Sequence, residues 1–239
     1  GAGVGTSVNH LETSVGSVSA RAGAGGIYVL ESDDVSIADV SVTVNRVKTD
    51  GTVTGNSVSD ASQSDLITSN AGNIVLRSTS GNIVLNDGSA GSSNVAVSAE
   101  GAGNILIQTL SATGDITVNA DLQSATGNVS VLAGHSVSFT ATADARSQGT
   151  GSTGSIDIAA TTGSLTMASG SVLGSTSGSI RVLAANDIAV GIVSTSGNVS
   201  LTATAGSISD ADTLVGGAND SAVNIMATGL RLVAGAGVG

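Results

Sequence analysis

Between residues 72 and 201 one pattern of apolar and polar positions recurs: Gly, then Asn, Ser or Asp, then an apolar residue, any residue, and a second apolar residue. The clearest case is "NAGNIVLRSTSGNIVLND", residues 70–87, in which GNIVL occurs twice within fifteen positions. Nine strict copies begin at Gly72, Gly81, Gly103, Gly114, Gly127, Gly154, Gly163, Gly178 and Gly197. Asn94–Val97 and Asp187–Val190 repeat the pattern without the glycine, and Gly206–Asp210 keeps its start but ends on a charge. Alternation with period two marks a half-buried strand. The pattern therefore predicts a short strand after each corner: Gly72-Asn73-Ile74, Gly81-Asn82-Ile83, Gly103-Asn104-Ile105, Gly114-Asp115-Ile116, Gly127-Asn128-Val129 and Gly197-Asn198-Val199 among them. The leading glycine is expected to take positive φ, which it adopts at little cost. The residue after it (Asn73, Asn82, Asn104, Asn128, Ser155, Ser164, Ser179, Asn198) is expected to stack in hydrogen-bonded ladders.

Spacing predicts how the strands stack. Ile74, Val95, Ile116 and Val137 are each 21 residues apart, Val137 to Ile156 and Ile180 to Val199 are 19, and Ile188 to Ile208 is 20. A period near 20 with two strong strands per period is a solenoid signature. The chain is read as one all-β unit over residues 1–239, a parallel β-solenoid of about 20 residues per coil. That makes roughly a dozen coils and a rod about 50–60 Å long at the usual strand spacing. The two GNIVL segments become two sides of one coil. The polar stretches 46–70 and 143–154 are read as loops leaving the rod.

Composition sharpens this picture. The apolar 40% is almost entirely Val, Ile, Leu and Ala, with one Phe, one Tyr and no Trp, so the core must be thin and aliphatic. Proline is absent, where ordinary usage of about 5% predicts a dozen. Proline breaks β-ladders, so its absence suits unbroken ones. Without cysteine there are no disulfides or thiolate metal sites. The net charge of −11 argues against a nucleic-acid partner, which needs basic stripes. There is no apolar run long enough to span a membrane as a helix. The chain begins with Gly and shows no signal peptide, as expected of a segment of a longer polypeptide. GAGVG stands at residues 1–5 and again at 235–239, which predicts a 234-residue unit of a tandem array or filament, with copies of itself end to end as partners.

The blocks Gly3-Val4-Gly5-Thr6, Leu11-Glu12-Thr13-Ser14-Val15 and Gly25-Gly26-Ile27-Tyr28-Val29, followed by the many strand motifs, resemble repeats of very large bacterial surface proteins of the filamentous-haemagglutinin or giant-adhesin type. Where that family often has proline before Leu-Glu-Thr, this chain has His10. The resemblance implies a right-handed parallel β-helix, secreted and displayed at the bacterial cell surface as a long fibre. It names neither ligand nor catalytic residue.

Candidate chemistry is sparse. Polysaccharide lyases and hydrolases on β-helices cluster carboxylates with Arg or Lys, whereas the acids here are scattered, as Asp115, Asp157 and Asp187 illustrate. No catalytic residue is assigned. An enzyme would require several acids and an arginine converging in one groove on consecutive coils, and Arg77 and Arg181 are the basic residues to inspect. His10 and His135 lack metal-ligand spacing, and His135 is expected to be a solvated corner. Asp33 and Asp34, and Asp210 and Asp212, are the candidates for a calcium site, because Ca²⁺ takes several oxygen ligands. Gly216–Asp220 only faintly matches the calcium-binding nonapeptide of β-rolls, and no other cofactor is expected. A flat Thr face for ice or glycan would need more TxT rows than Thr140-Ala141-Thr142 and Thr202-Ala203-Thr204 provide. The expected function is a structural stalk or filament. The alternative is a β-helix module binding host or neighbouring-cell surface glycans, with an enzyme behind it.

Overall fold

The structure, a computed structural model, describes residues 2–89, 94–212 and 222–238. Among these residues every regular element is a β-strand, and the strands form three parallel sheets and one antiparallel pair. The chain visits the three sheets in rotation. In a central coil, Ile105–Thr109 lies in the first sheet, Ile116–Val118 in the second and Asp121–Ser124 in the third, after which Val129–Ala133 returns to the first. The fold is a three-sided parallel β-helix, and each sheet runs through it from the first coil to the last.

The first sheet stacks nine strands, from Gly3–Val4 to Gly229–Ala234, with Leu11–Thr13 paired beside the first of them on Gly26–Glu31. The second sheet also stacks nine, from Ser17–Val18 to Gly237–Val238, and the third eight, from Ala20–Ala22 to Ile225–Met226. Nine layers replace the expected dozen and shorten the rod to about 40 Å. Paired residues of the first sheet are separated by 18 positions (Leu11 and Val29) up to 47 (Ile27 and Ile74), so no fixed 20-residue coil exists. The regular 21-residue steps were partly a coincidence of corners, because Ile74, Val95 and Ile116 lie one in each sheet. Ile116 with Val137, Ile180 with Val199 and Ile188 with Ile208 are true stacking partners. The two GNIVL segments are indeed two sides of one coil, at Ile74–Ser78 and Ile83–Leu85.

Alternating side chains point inward. Ile74, Leu76, Ile83, Leu85, Ile105, Ile107, Ile116, Val118 and Leu122 are buried, and column after column of aliphatic residues fills the narrow interior. Phe139 is the one aromatic inside, stacked between Val118 and Met167. The stretch 143–154 is not a loop throughout: Ala143 and Ala145 are buried, and Ala145–Ser147 is a strand of the third sheet. The stretch 46–70 does leave the rod in part. Val40–Asn45 and Ser57–Gln63 form an antiparallel hairpin between the second and third sides of one coil, and Leu66–Thr68 rejoins the stack.

The corners are built differently from the expectation. None of the nine leading glycines has positive φ; that conformation falls to Gly5, Gly26, Gly51, Gly55, Gly101, Gly151 and Gly170, and to Asp65, Asn70, Ala71 and Asn94. The requirement at the leading glycines is space. A Cβ on Gly103 would come 2.3 Å from Gly72 O, one on Gly127 2.2 Å from Gly103 O, and one on Gly154 2.1 Å from Gly127 O. The glycines stack on one another and let the main chain of successive coils close up.

Buried hydroxyls at the end of the third side tie this glycine column together. Ser124 Oγ donates to Gly103 O (2.7 Å) on the neighbouring coil and accepts from Gly127 N (2.8 Å) on its own. Ser175 repeats the arrangement with Gly154 O and Gly178 N, and Thr195 with Gly178 O and Gly197 N. Ser147 donates to Gly127 O. No buried side-chain nitrogen or oxygen among the described residues lacks a partner, as a dry, stable interior requires.

Candidate functional site

The motif's second position forms two ladders on the outside of the rod. At the entrance to the first sheet, Asn73 Oδ1 accepts from Asn104 N (2.9 Å) and Asn104 Nδ2 (3.2 Å). Asn104 Oδ1 accepts from Asn128 N (2.8 Å) and Nδ2 (2.9 Å), and Asn128 Oδ1 from Ser155 N and Oγ, each 2.9 Å. The ladder starts at Tyr28, whose phenol oxygen accepts from Asn73 Nδ2 (3.3 Å). It stops at Ser155, because the side chains of Ser179 and Asn198 make no hydrogen bond among the described residues.

The second ladder, at the entrance to the second sheet, absorbs several of the acids. Asp34 Oδ1 accepts from Asn82 N (2.7 Å), Asn82 Oδ1 from Asp115 N (2.8 Å), and Asp115 Oδ1 from Ser136 N (2.9 Å). Ser136 Oγ, Ser164 Oγ and Asp187 Oδ1 carry the series to Ser207 N. His135 Nδ1 lies 2.7 Å from Asp115 Oδ1, so this corner histidine has a specific partner.

The calcium candidates do not come together as a ligand set. The Asp34 oxygen serves Asn82, the Asp33 main-chain oxygen accepts from Ser78 Oγ (2.7 Å), and both residues border only a shallow recess beside Ser14 and Gly16. Asp210 Oδ1 accepts from Asp212 N (2.8 Å) and Asn224 Nδ2 (2.9 Å). Gly216–Asp220 lies outside the described residues. Among the described residues no three His, Cys, Asp or Glu side chains are grouped to hold a metal ion.

Glu31, at the end of the first-sheet strand, reads in the sequence as part of the acidic cluster 31–34, a solvated or calcium-binding group, yet it is fully buried. Its carboxylate accepts from Thr13 Oγ1 (2.6 Å), Ser32 N (2.9 Å) and Val15 N (3.2 Å). Burial pushes its pKa up, but these hydrogen bonds outweigh burial and hold it below the usual carboxylate value. Stability from this group is present above the ordinary pKa and is lost as pH falls through the lowered one.

Neither inspected arginine joins a cluster of acids. Arg77 Nε donates to Gln108 Oε1 (2.9 Å) and Arg181 Nη1 to Asp157 Oδ1 (2.8 Å). Acids and an arginine do converge on consecutive coils at the entrance to the third sheet, where no glycine motif marks the corner. Asp121 Oδ1 accepts from Asp144 N (3.0 Å) and from Asn94 Nδ2 (3.1 Å). Asp144 Oδ1 accepts from Val172 N (2.6 Å), and its other oxygen takes Arg146 Nε (3.0 Å) and Nη2 (2.5 Å). These carboxylates are therefore rungs of a third ladder.

Burial and then the neighbouring Asp144 carboxylate push Asp121 up to about 6, against the Asp144 N–H and the Arg146 charge. A raised pKa means that the folded state holds its proton more tightly than the unfolded chain. Asp121 thus stabilises the fold fully below the ordinary value near 4, and this contribution is lost as pH rises through about 6. Asp121→Asn keeps the Oδ1 acceptor and removes the repulsion. It is expected to raise stability at pH 7.5 by on the order of 1–2 kcal/mol and to flatten the loss between pH 4 and 7. Urea unfolding of both proteins across that range measures the difference. A variant with the same slope as the parent would show that Asp121 is not the group responsible.

Comparison of the chain with protein-family models, with curated proteins and with solved structures gave no match.

Proposed function

We propose that this chain is a structural section of an extracellular bacterial surface filament, stalk or giant adhesin, with a mechanical rather than a catalytic role. The observation that carries this reading is the continuity of the three parallel sheets, unbroken by proline and pinned along part of their length by ladders at all three kinds of corner. Load along such a rod is shared by many backbone hydrogen bonds at once. The resemblance of the N-terminal blocks to giant-adhesin repeats points the same way, and a secreted location at the cell surface belongs to this proposal.

Copies end to end are the proposed partners. Leu230 and Leu232 continue the columns of buried Val199 and Leu201, but they are 49% and 36% exposed because no further coil covers them among the described residues. Stacking a coil of another copy there would bury them and pair the free strand edge. The two GAGVG segments do not hold equivalent places in the coil, since Gly3–Val4 lies in the first sheet and Gly237–Val238 in the second. The stacking argument therefore rests on the apolar end and not on that five-residue match.

Electron microscopy of the purified chain tests the reading. Rods about 40 Å long that join into fibres, with joining abolished by Leu232→Asp, are expected. Single particles at every concentration, indistinguishable from that variant, would remove end-to-end assembly.

A further inference from the structure

The outward face of the first sheet carries a trough of about 430 Å³ beside the asparagine ladder. Val75 and Leu106 form its floor, Asn73, Asn104 and Asn128 its long wall, and Tyr28 closes one end. We propose that this trough binds a neutral, extended saccharide chain lying along the rod.

The floor is out of character for an outer face. Tyr28, Val75, Leu106 and Ser130 occupy one outward column in direct register, and the same column continues as Asp157 and Arg181. The first four residues of that column carry no charge, whereas three of the next four (Asp157, Arg181 and Arg231, with Ser200 between the arginines) do. Tyr28 supplies the aromatic platform on which sugar rings pack. Its ring is set in advance: His10 lies against it with ring centroids 5.9 Å apart, its hydroxyl accepts from Asn73, and Gly26 beneath has no Cβ to displace it. A Cβ at Gly26 would come 3.0 Å from the Tyr28 ring.

The wall suits a repeating ligand. Each asparagine uses one amide hydrogen in the ladder and keeps a second donor for a ligand hydroxyl. These donors recur at the strand spacing of about 4.8 Å, close to the advance of one hexose in an extended chain. The lining includes no carboxylate, lysine or arginine, and the molecule carries a net charge of −11, so an anionic polymer finds repulsion and no partner. A peptide strand would gain little, because the backbone beneath the trough is already paired on both sides within the sheet. The trough lies on the flank of the rod, so its occupancy is independent of end-to-end stacking.

Calorimetric titration of the full chain with β-1,4-linked glucose and N-acetylglucosamine hexamers, with a galacturonate hexamer as the anionic comparison, tests the proposal. Binding of at least one neutral hexamer is expected, weakened about tenfold or more by Tyr28→Ala and by Leu106→Glu. Tyr28→Phe, which keeps the ring but loses the hydroxyl that ties it to Asn73, is expected to bind more tightly than Tyr28→Ala and more weakly than the parent. Leu106 faces outward, so Leu106→Glu should leave the melting temperature unchanged and separates lost binding from lost folding. No binding of either neutral hexamer at about 1 mM, preference for the galacturonate, or affinity untouched by both variants would each overturn the proposal.

Discussion

Gly127→Ala is expected to destabilise the solenoid by about 3 kcal/mol or more, although it adds one methyl group. The new Cβ would lie 2.2 Å from Gly103 O and 2.6 Å from Gly103 C, both main-chain atoms of the adjacent coil. A flexible side chain could swing away from such a clash, but backbone cannot. Separating the two coils would strain the bond from Ser124 Oγ to Gly103 O (2.7 Å), whose groups are buried. Gly16→Ala is the matched control, because a Cβ there meets nothing within 4 Å; its effect should stay within about 0.5 kcal/mol. Urea unfolding followed by circular dichroism measures both. If Gly127→Ala cost no more than the control, close approach of the glycine column would not be what the corners require.

That column also shows how much of the fold was legible. The strand motif was readable because period-two alternation and a glycine both leave marks on the sequence, and so the first and second sides of most coils were placed correctly. The third side leaves a weaker mark. Leu66–Thr68, Asp121–Ser124, Ala145–Ser147 and Val172–Ser175 carry only one or two inward apolar residues and end on a buried hydroxyl instead of opening on Gly-Asn. Without that side, a coil looks some residues too short and the count rises from nine to a dozen. The reason for the glycines was also hidden, since a sequence cannot distinguish a need for positive φ from a need for no Cβ.

The sites divide in the same way. The asparagine ladder could be anticipated, because equal residues at equal motif positions must stack. The trough could not, because Tyr28, Val75, Leu106 and Ser130 stand 47, 31 and 24 positions apart and meet only once the register is known. The Asp121–Asp144 contact was missed for the same reason: it belongs to the corner without a motif. Local acid pairs such as Asp33–Asp34 drew attention as metal candidates, yet the second ladder uses Asp34 as a hydrogen-bond acceptor. In a solenoid, chemistry is assembled along the stack, so neighbours in sequence are poor guides to neighbours in a site.

Ile107→Ala is expected to cost about 4 kcal/mol, in the upper part of the range for such truncations. Ile107 is fully buried and stacks directly on Leu76 on one side and Val131 on the other, which are themselves fully buried. The cost of a truncation depends on how far the surroundings can collapse into the space left. Here they can collapse little, because the coils above and below are held at fixed spacing by the ladders and by paired strands in all three sheets. The column of Ile107 holds aliphatic side chains only; Phe139, the one buried ring, stands in the second sheet on the next coil, stacked on Val118 and packed beneath Met167. Leu230→Ala makes the same kind of cut at a position that remains half exposed, and should cost less than about 1.5 kcal/mol in dilute solution. Under conditions where rods join end to end, burial of Leu230 at the junction should raise that second figure while leaving the first unchanged. Urea titrations of both variants, at protein concentrations below and above the onset of fibre formation, read the two effects separately. Equal costs for Ile107→Ala and Leu230→Ala in dilute solution would mean that the interior is not rigidly stacked and that the ladders do not hold the coils apart.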